Sequence, residues 1–405
     1  MAGYISPLNN PDQDIVLVRY NPDGSLDSTF GINGIVQTAV GYDSDECHDL
    51  VIQPNGKIVV VGSTHFTNEW DLVVVRYNPD GSLDYTFGYQ GNTTVFFGSA
   101  DDFGNAILRQ PDGKIVVGGV TDSGTTYDYA IARFDTNGVL DNSFGSGGKV
   151  ITDIRGTDDE CFTLALQTNG KILAAGYTEN GYGHQEDFSV VRYNTDGTLD
   201  DSFGTGGKVI TTIGVNKDKA QSITLQPDGK ILAAGFTKNG AFINSALVRY
   251  NTNGTPDDTF GNSGIVITAA GSSSSSTAVR MQSDGKIVTG GFSNGTSTDF
   301  LLMRYLSGLI VGLNEAGNND PSIIISPNPF LTQTSISYTF KDNSYVMLEV
   351  YDMTGRLIFS LDSDEKQPGN YSQDLYLGNM PAGVYFGRLM TNNKSTIVKM
   401  IKTEN

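Results

Sequence analysis

The chain has 405 residues, 38% of them apolar, with 49 glycines, 20 phenylalanines and 19 tyrosines, a mixture that suits a turn-rich all-β protein better than a helical one. Its 26 basic against 45 acidic residues give a net charge of −19, so no basic stripe is available for a nucleic-acid partner. Two cysteines and three histidines leave no disulfide framework and little material for a zinc site, and no apolar run reaches membrane-spanning length.

The opening segment, AGYISPLNNPDQDIVLVRY (2–20), aligns without a gap on AGYTENGYGHQEDFSVVRY (175–193). The chain therefore enters in the middle of a repeat. An upstream part, an export signal included, is expected to be missing.

A first repeated unit, RYNPDGSLDSTFG from Arg19, returns in near-copies from Arg76, Arg133, Arg192 and Arg249; the arginine alone recurs at Arg304. A second anchor, QPNGK at Gln53, returns at Gln110, Gln167, Gln226 and Gln282. The period is about 57 residues. Within one unit, DLVIQ (49–53), KIVVVG (57–62), DLVVVRY (71–77) and NTTVFF (92–97) are apolar runs bounded by turn signals and read as strands. Four short strands per tandem unit predict an all-β, β-propeller architecture over residues 1–313, with five nearly complete blades and a partial one. The Asn-Pro-Asp-Gly segments fit type I turns position by position. Asp27 and its equivalents Asp84, Asp141, Asp200 and Asp257 are expected to cap their own loops. The DGKI, RYN-DG-LD and FG-GG elements resemble the delta-60 repeat of bacterial secreted proteins, which implies a propeller-like fold and no established chemistry.

Residues 314–321 (NEAGNNDP) read as a linker. Beyond them SPNPF (326–330), VYDMTGRLIFS (350–360), PAGVYFGRL (381–389) and STIVKMIK (395–402) each occur once. Their order and spacing resemble the C-terminal sorting domain of the type IX secretion system of Gram-negative bacteria. Alternating runs such as SISYTF and VMLEVYD predict a small β-sandwich over 322–405. The resemblance implies type IX machinery as a partner, a secreted or outer-membrane-surface location, and attachment to surface lipopolysaccharide after sorting.

The QPDGK and RYNPDG turns share one predicted face and barely vary between units. The loops joining successive blades, and those between second and third strands, share the other face and vary strongly, which is where binding is expected. The joining loops read GYDSDEC (41–47), GSADDFG (98–104) and RGTDDEC (155–161). Asp45, Glu46, Asp101, Asp102, Asp158, Asp159 and Glu160 are expected to form an acidic arc for a cation or a basic partner. VNKDKA and GSSSSST in the following units interrupt it. Calcium suits such oxygen ligands, although no DxDxDG-type loop is present; no other cofactor is expected. Trp70, Tyr127, Tyr182 and Phe242 occupy neighbouring loops, and aromatic faces beside Asp and Asn suit sugar recognition.

No nucleophile elbow, phosphate-binding glycine loop or zinc motif is present, and His184 is the one residue suited to act as a general base. The expected function is a non-catalytic propeller that binds glycan or protein through its variable face. The alternatives are a carbohydrate-active hydrolase or lyase using carboxylates of that face, and a structural surface protein with no discrete ligand site.

Overall fold

The computed structural model describes residues 1–6, 12–41, 43–66, 68–98, 100–181, 185–240, 242–295, 297–307, 322–340, 343–352, 357–391 and 394–403. They fall into two compact units, Met1–Leu306 and Ser307–Asn405. The expected linker, 314–321, lies outside the described residues.

The first unit consists of antiparallel sheets, each made from one stretch of chain. Asp45–Ile52, Ile58–Phe66, Glu69–Tyr77 and Asn92–Val95 pair in that order. The same order recurs in Asp102–Arg109 to Lys149–Thr152, Asp159–Leu166 to Lys208–Thr211, and Asp218–Leu225 to Ile265–Thr268. These are blades two to five. Blade one comprises Ala2–Ile5, Asp14–Val18 and Ile35–Thr38, the equivalents of second to fourth strands. Blade six comprises Ser273–Met281, Ile287–Asn294 and Thr298–Tyr305, the first to third. The first strand of each blade starts at a polar residue such as Asp45, earlier than an apolar run alone announces.

In blades two to five the second and third strands are buried on both sides, which explains their unbroken apolar runs; in blades one and six the equivalent strands are more open. Alternate residues of one strand serve different neighbours. Val59, Val61, Leu72 and Val74 pack against Ile107, Ile115 and Val117 of blade three; Val60, Val73 and Val75 pack against Ile15 and Leu17 of blade one. Cys47 and Cys161 are buried free thiols in these layers, and burial pushes both up to about 12.

Each first strand carries a bulge, at Cys47/Asp49, Gly104/Ala106, Cys161/Thr163, Ala220/Ser222 and Ser276/Ala278. The second strand approaches so closely there that a Cβ on Gly62 or Gly119 would lie 1.8 Å from the carbonyl oxygen of Glu46 or Phe103. Only glycine fits at these two positions.

The recurrent RYNPDG segment is a clasp between blades. Gly24 N donates to Asn21 O at 3.0 Å, closing the type I turn. Asp23 Oδ1 accepts from Ser25 N and Oγ at 2.9 and 2.6 Å. Arg192 shows what the arginine does. Its Nε lies 2.6 Å from Asp200 Oδ2, its Nη2 donates to Ser202 Oγ at 3.2 Å, and its guanidinium sits 4.4 Å above the Phe203 ring. Its Nη1 then crosses to the Thr252 carbonyl of the next blade at 2.5 Å. Arg19, Arg76 and Arg133 make the same crossing, to Pro79, Thr136 and Thr195. Lys171, from the QTNGK turn, adds a second cation 2.6 Å from Asp200. Burial alone would raise the Asp200 carboxyl, but Lys171, Ser202 and Arg192 outweigh it and hold it well below the usual range. Asp200 also caps its loop as expected, accepting from Ser202 N at 3.2 Å.

The second unit has a three-stranded sheet (Ser322–Ser326, Gln333–Phe340, Gly369–Tyr376) and a four-stranded one (Leu357–Lys366, Ser344–Asp352, Gly383–Thr391, Lys394–Lys402). Ile325, Ile336 and Leu375 of the first pack with Leu348, Val350, Leu389 and Met400 of the second, forming the sandwich core. The SPNPF segment ties the final strand in place. Asn328 Nδ2 donates to Lys399 O, and Asn328 Oδ1 accepts from Ile401 N, both at 2.8 Å.

Candidate functional site on the joining-loop face

Two devices repeat where one blade leads into the next. In the first, the aspartate that opens each first strand turns inward. Asp45, Asp102, Asp159 and Asp218 are all 0% exposed. Their Oδ2 atoms accept from Val40 N at 2.7 Å, Phe97 N at 2.7 Å, Ile154 N at 2.6 Å and Ile213 N at 2.7 Å. A buried threonine of the second strand faces each of them; Thr64 Oγ1 donates to Asp45 Oδ1 at 2.5 Å. Blade six replaces the aspartate with Ser274, whose Oγ accepts from Ala270 N at 3.3 Å. Asp45, Asp102 and Asp159 therefore hold the joining loops from inside and do not belong to a solvent-facing arc. Burial raises all three carboxyls, Asp159 to about 7.

In the second device the preceding residue reaches back to the previous blade. Asp101 Oδ1 accepts from Trp70 N at 2.8 Å, and Asp158 Oδ1 accepts from Tyr127 N at 3.0 Å. Each latch thus positions one of the two equivalent aromatics. One blade further on both positions change: Glu186, 3% exposed, replaces the aromatic, and Lys217 lies 2.5 Å from it.

Trp70 is half-buried, its ring 5.3 Å from His65 and 6.0 Å from Phe103. Tyr127 is half-buried on the neighbouring blade. Burial raises its hydroxyl, and Asp122, Asp101, Asp158 and Glu160 push it further in the same direction. Phe242 is 64% exposed and sits apart, two blades away. Tyr182 and His184 lie outside the described residues.

Glu46 and Glu160 point from first strands to the inner wall. Glu46 Oε2 is 3.1 Å from His48 Nε2, and His48 Nδ1 is 3.2 Å from Asn105 Oδ1 of the next blade. Burial raises the Glu160 carboxyl, opposed by Lys219 and Tyr177. Lys219 Nζ lies 3.7 Å from the Tyr177 ring centre and 3.2 Å from Glu186 Oε2. Phe103, Phe162, Tyr177 and Lys219 are wall residues that loop reading overlooks. The signal was present as a column: the residue after each buried aspartate is Glu46, Phe103, Glu160 and Lys219 in turn. Two open grooves, of about 660 and 780 Å³, run along fourth strands beside Ile35 and Asn92 and contain none of the candidate residues.

The model of a domain of unknown function, the DUF5122 β-propeller, matches residues 2–30, 53–87, 110–144, 167–203, 226–260 and 282–308. That of the secretion system C-terminal sorting domain matches residues 325–403. No curated protein matches the chain. Among solved structures, a protein of unknown function from Bacteroides caccae is 12% identical, with a TM-score of 0.41, 76% of this chain and 90% of that one being covered. The β-propeller domain of the trilobed protease from Pyrococcus furiosus is 11% identical, with a TM-score of 0.35 and coverage of 88% and 93%. The polysaccharide lyase Uly1 is 9% identical, with a TM-score of 0.36 and coverage of 90% and 85%. Among the described residues no helix is long and apolar enough to cross a membrane. The sorting domain marks the chain for export to the cell surface or beyond. The chain thus belongs to the DUF5122 β-propeller proteins that carry a type IX secretion-system C-terminal sorting domain.

Proposed function

We propose that the exported propeller binds glycan on its joining-loop face without transforming it. The observation that carries this reading is the pairing of Trp70 and Tyr127 on adjacent blades, each latched by a neighbouring aspartate and flanked by carboxylates. Aromatic faces stack on the C–H side of a sugar ring, and carboxylates accept from its hydroxyls. Two carboxylates that would otherwise suit catalysis, Asp102 and Asp159, are occupied in holding loops. The sorting domain addresses the chain to the type IX machinery, and surface lipopolysaccharide is its anchor after sorting.

A glycan panel probed with the full chain tests the binding reading. Trp70→Ala and Tyr127→Ala are each expected to weaken binding by about 1–3 kcal/mol, as loss of a stacking contact does, with little change in melting temperature. A flat response across the panel removes glycan as the ligand. Degradation of a polysaccharide by the wild type, lost in Glu160→Gln, replaces binding with catalysis. Removal of residues 322–405 is expected to leave the propeller inside the cell, and undiminished secretion would separate the tail from export.

A further inference from the structure

Three carboxylates converge where blades three and four meet. Asp128 comes from the third strand of blade three, Asp153 from the joining loop and Asp159 from the start of blade four; one oxygen of each lies within 4.8 Å of the others. Asp128 and Asp159 are 5% and 0% exposed, while Asp153 is open to solvent. Asp159 gives Oδ2 to the Ile154 amide, and Asp153 Oδ1 accepts from Gly156 N. By strict hydrogen-bond geometry the Oδ1 atoms of Asp128 and Asp159, like those of Asp102 and Asp218 at the neighbouring junctions, are buried without a partner, while the Thr178 hydroxyl faces Asp159 and the Ser123 and Thr126 hydroxyls face Asp128. Leaving such charges unpaired inside a protein is costly.

The other junctions show what is particular here. Asp187 and Asp218 occupy the same two places between blades four and five, but the third is Thr212 and Arg155 Nη2 lies 2.5 Å from Asp187. Between blades two and three the set is Asp71, Asp102 and Phe96; between five and six it is Asn244, Ser274 and Ala269. Among the described residues no Lys or Arg forms an ion pair with Asp128, Asp153 or Asp159. Arg155 is engaged with Asp187, and Lys208 Nζ donates to the carbonyls of Asp153 and Ile154 at 2.7 and 3.4 Å.

We propose that this junction binds one hard divalent cation, calcium, through Asp128, Asp153 and Asp159. An all-oxygen set of three carboxylates, open on the Asp153 side to water, matches calcium's preference for oxygen and its tolerance of irregular geometry. The ion fastens blade three to blade four beside the Asp158–Tyr127 latch. It therefore stiffens the joining-loop face without contacting Trp70.

Calcium titrated calorimetrically into the metal-free full chain is expected to reveal a saturable site with one ion per chain. Saturation is expected to raise the melting temperature by about 3–5 °C. Asp153→Asn, at an exposed position, is expected to weaken calcium binding about tenfold or more and to abolish the thermal response. Its calcium-free melting temperature is expected to equal or exceed that of the wild type, because one repelling charge is gone. Asp128→Asn serves as the second variant, and Asp112→Asn on the opposite face is expected to bind as the wild type does. Absence of saturable binding to the wild type, or undiminished binding by both site variants, overturns the proposal.

Discussion

The two faces of the propeller use the same side chain in opposite ways. On the clasp face Asp84, Asp141, Asp200 and Asp257 each sit beside a lysine and an arginine, and their carboxyls are held far below the ordinary range. On the joining-loop face Asp45, Asp71, Asp102, Asp128, Asp159 and Asp218 are buried with amides, hydroxyls and one another, and their carboxyls are raised. The clasp aspartates are thus charged at neutral pH and each is matched by cations of its own clasp. Among the described residues these joining-loop aspartates have no lysine or arginine in an ion pair, unlike Asp187 and Glu186 on the same face. Net charge alone, −19 for the whole chain, hides this division.

The largest expected effect breaks a clasp. Arg192→Ala removes four interactions and leaves Asp200, 5% exposed, with Lys171 as its single cation. A loss of about 3–5 kcal/mol in denaturant unfolding is expected, and a loss below about 1 kcal/mol would reduce the clasp to decoration.

The contrast between faces is sharpened by pH. Burial, helped by Asp102, Glu69 and Asp101, pushes the Asp71 carboxyl up to about 6 from an ordinary 3.8. Because the folded state then binds the proton more tightly than the unfolded one, Asp71 favours folding at low pH and loses that advantage as pH rises through about 6. Asp71→Asn is therefore expected to be more stable than wild type by about 1–2 kcal/mol at pH 7.5, the gap closing near pH 4. Asp200→Asn is expected to behave oppositely and be destabilised at pH 7.5, because a depressed carboxyl contributes stability above its unfolded value that is lost only in strong acid. Thermal melts of both variants across pH check the pair, and parallel profiles would erase the distinction between faces.

Smaller effects probe the latches. Asp101→Ala leaves the Trp70 amide without its acceptor and is expected to cost about 1 kcal/mol. Phe242→Ser, at an exposed position, is expected to change stability by less than about 0.5 kcal/mol; a larger loss would place Phe242 in a packed contact.

Much of this architecture was legible because the repeat averages it. The 57-residue spacing, the Asn-Pro-Asp-Gly turn and the alternation in the final 80 or so residues each encode local geometry, and local geometry depends on neighbours in sequence. The clasp is different. The carbonyl that Arg76 reaches belongs to Thr136, 60 residues away, so the arginine's recurrence was visible while its purpose was not. The buried aspartates misled for a related reason: acidic residues in a loop read as exposed, and burial was decided by a threonine 19 positions later, Thr64 for Asp45. That pairing was recoverable, since Thr121, Thr178 and Thr237 keep the same separation from Asp102, Asp159 and Asp218. Asp153 was not, because it occurs in one unit and repetition lends it no weight.

The bulge in each first strand has a consequence for how such a protein diversifies. The residue it inserts answers to no partner in the ladder, so neither pairing nor core volume dictates what stands there. His48, Asn105, Phe162, Gln221 and Thr277 occupy that position in successive blades: an imidazole, a carboxamide, a ring, a second carboxamide and a hydroxyl. Each is half-buried or exposed. Selection can exchange these side chains one at a time and rewrite the chemistry of the inner wall, while the glycine beneath and the strands on either side keep every blade the same shape.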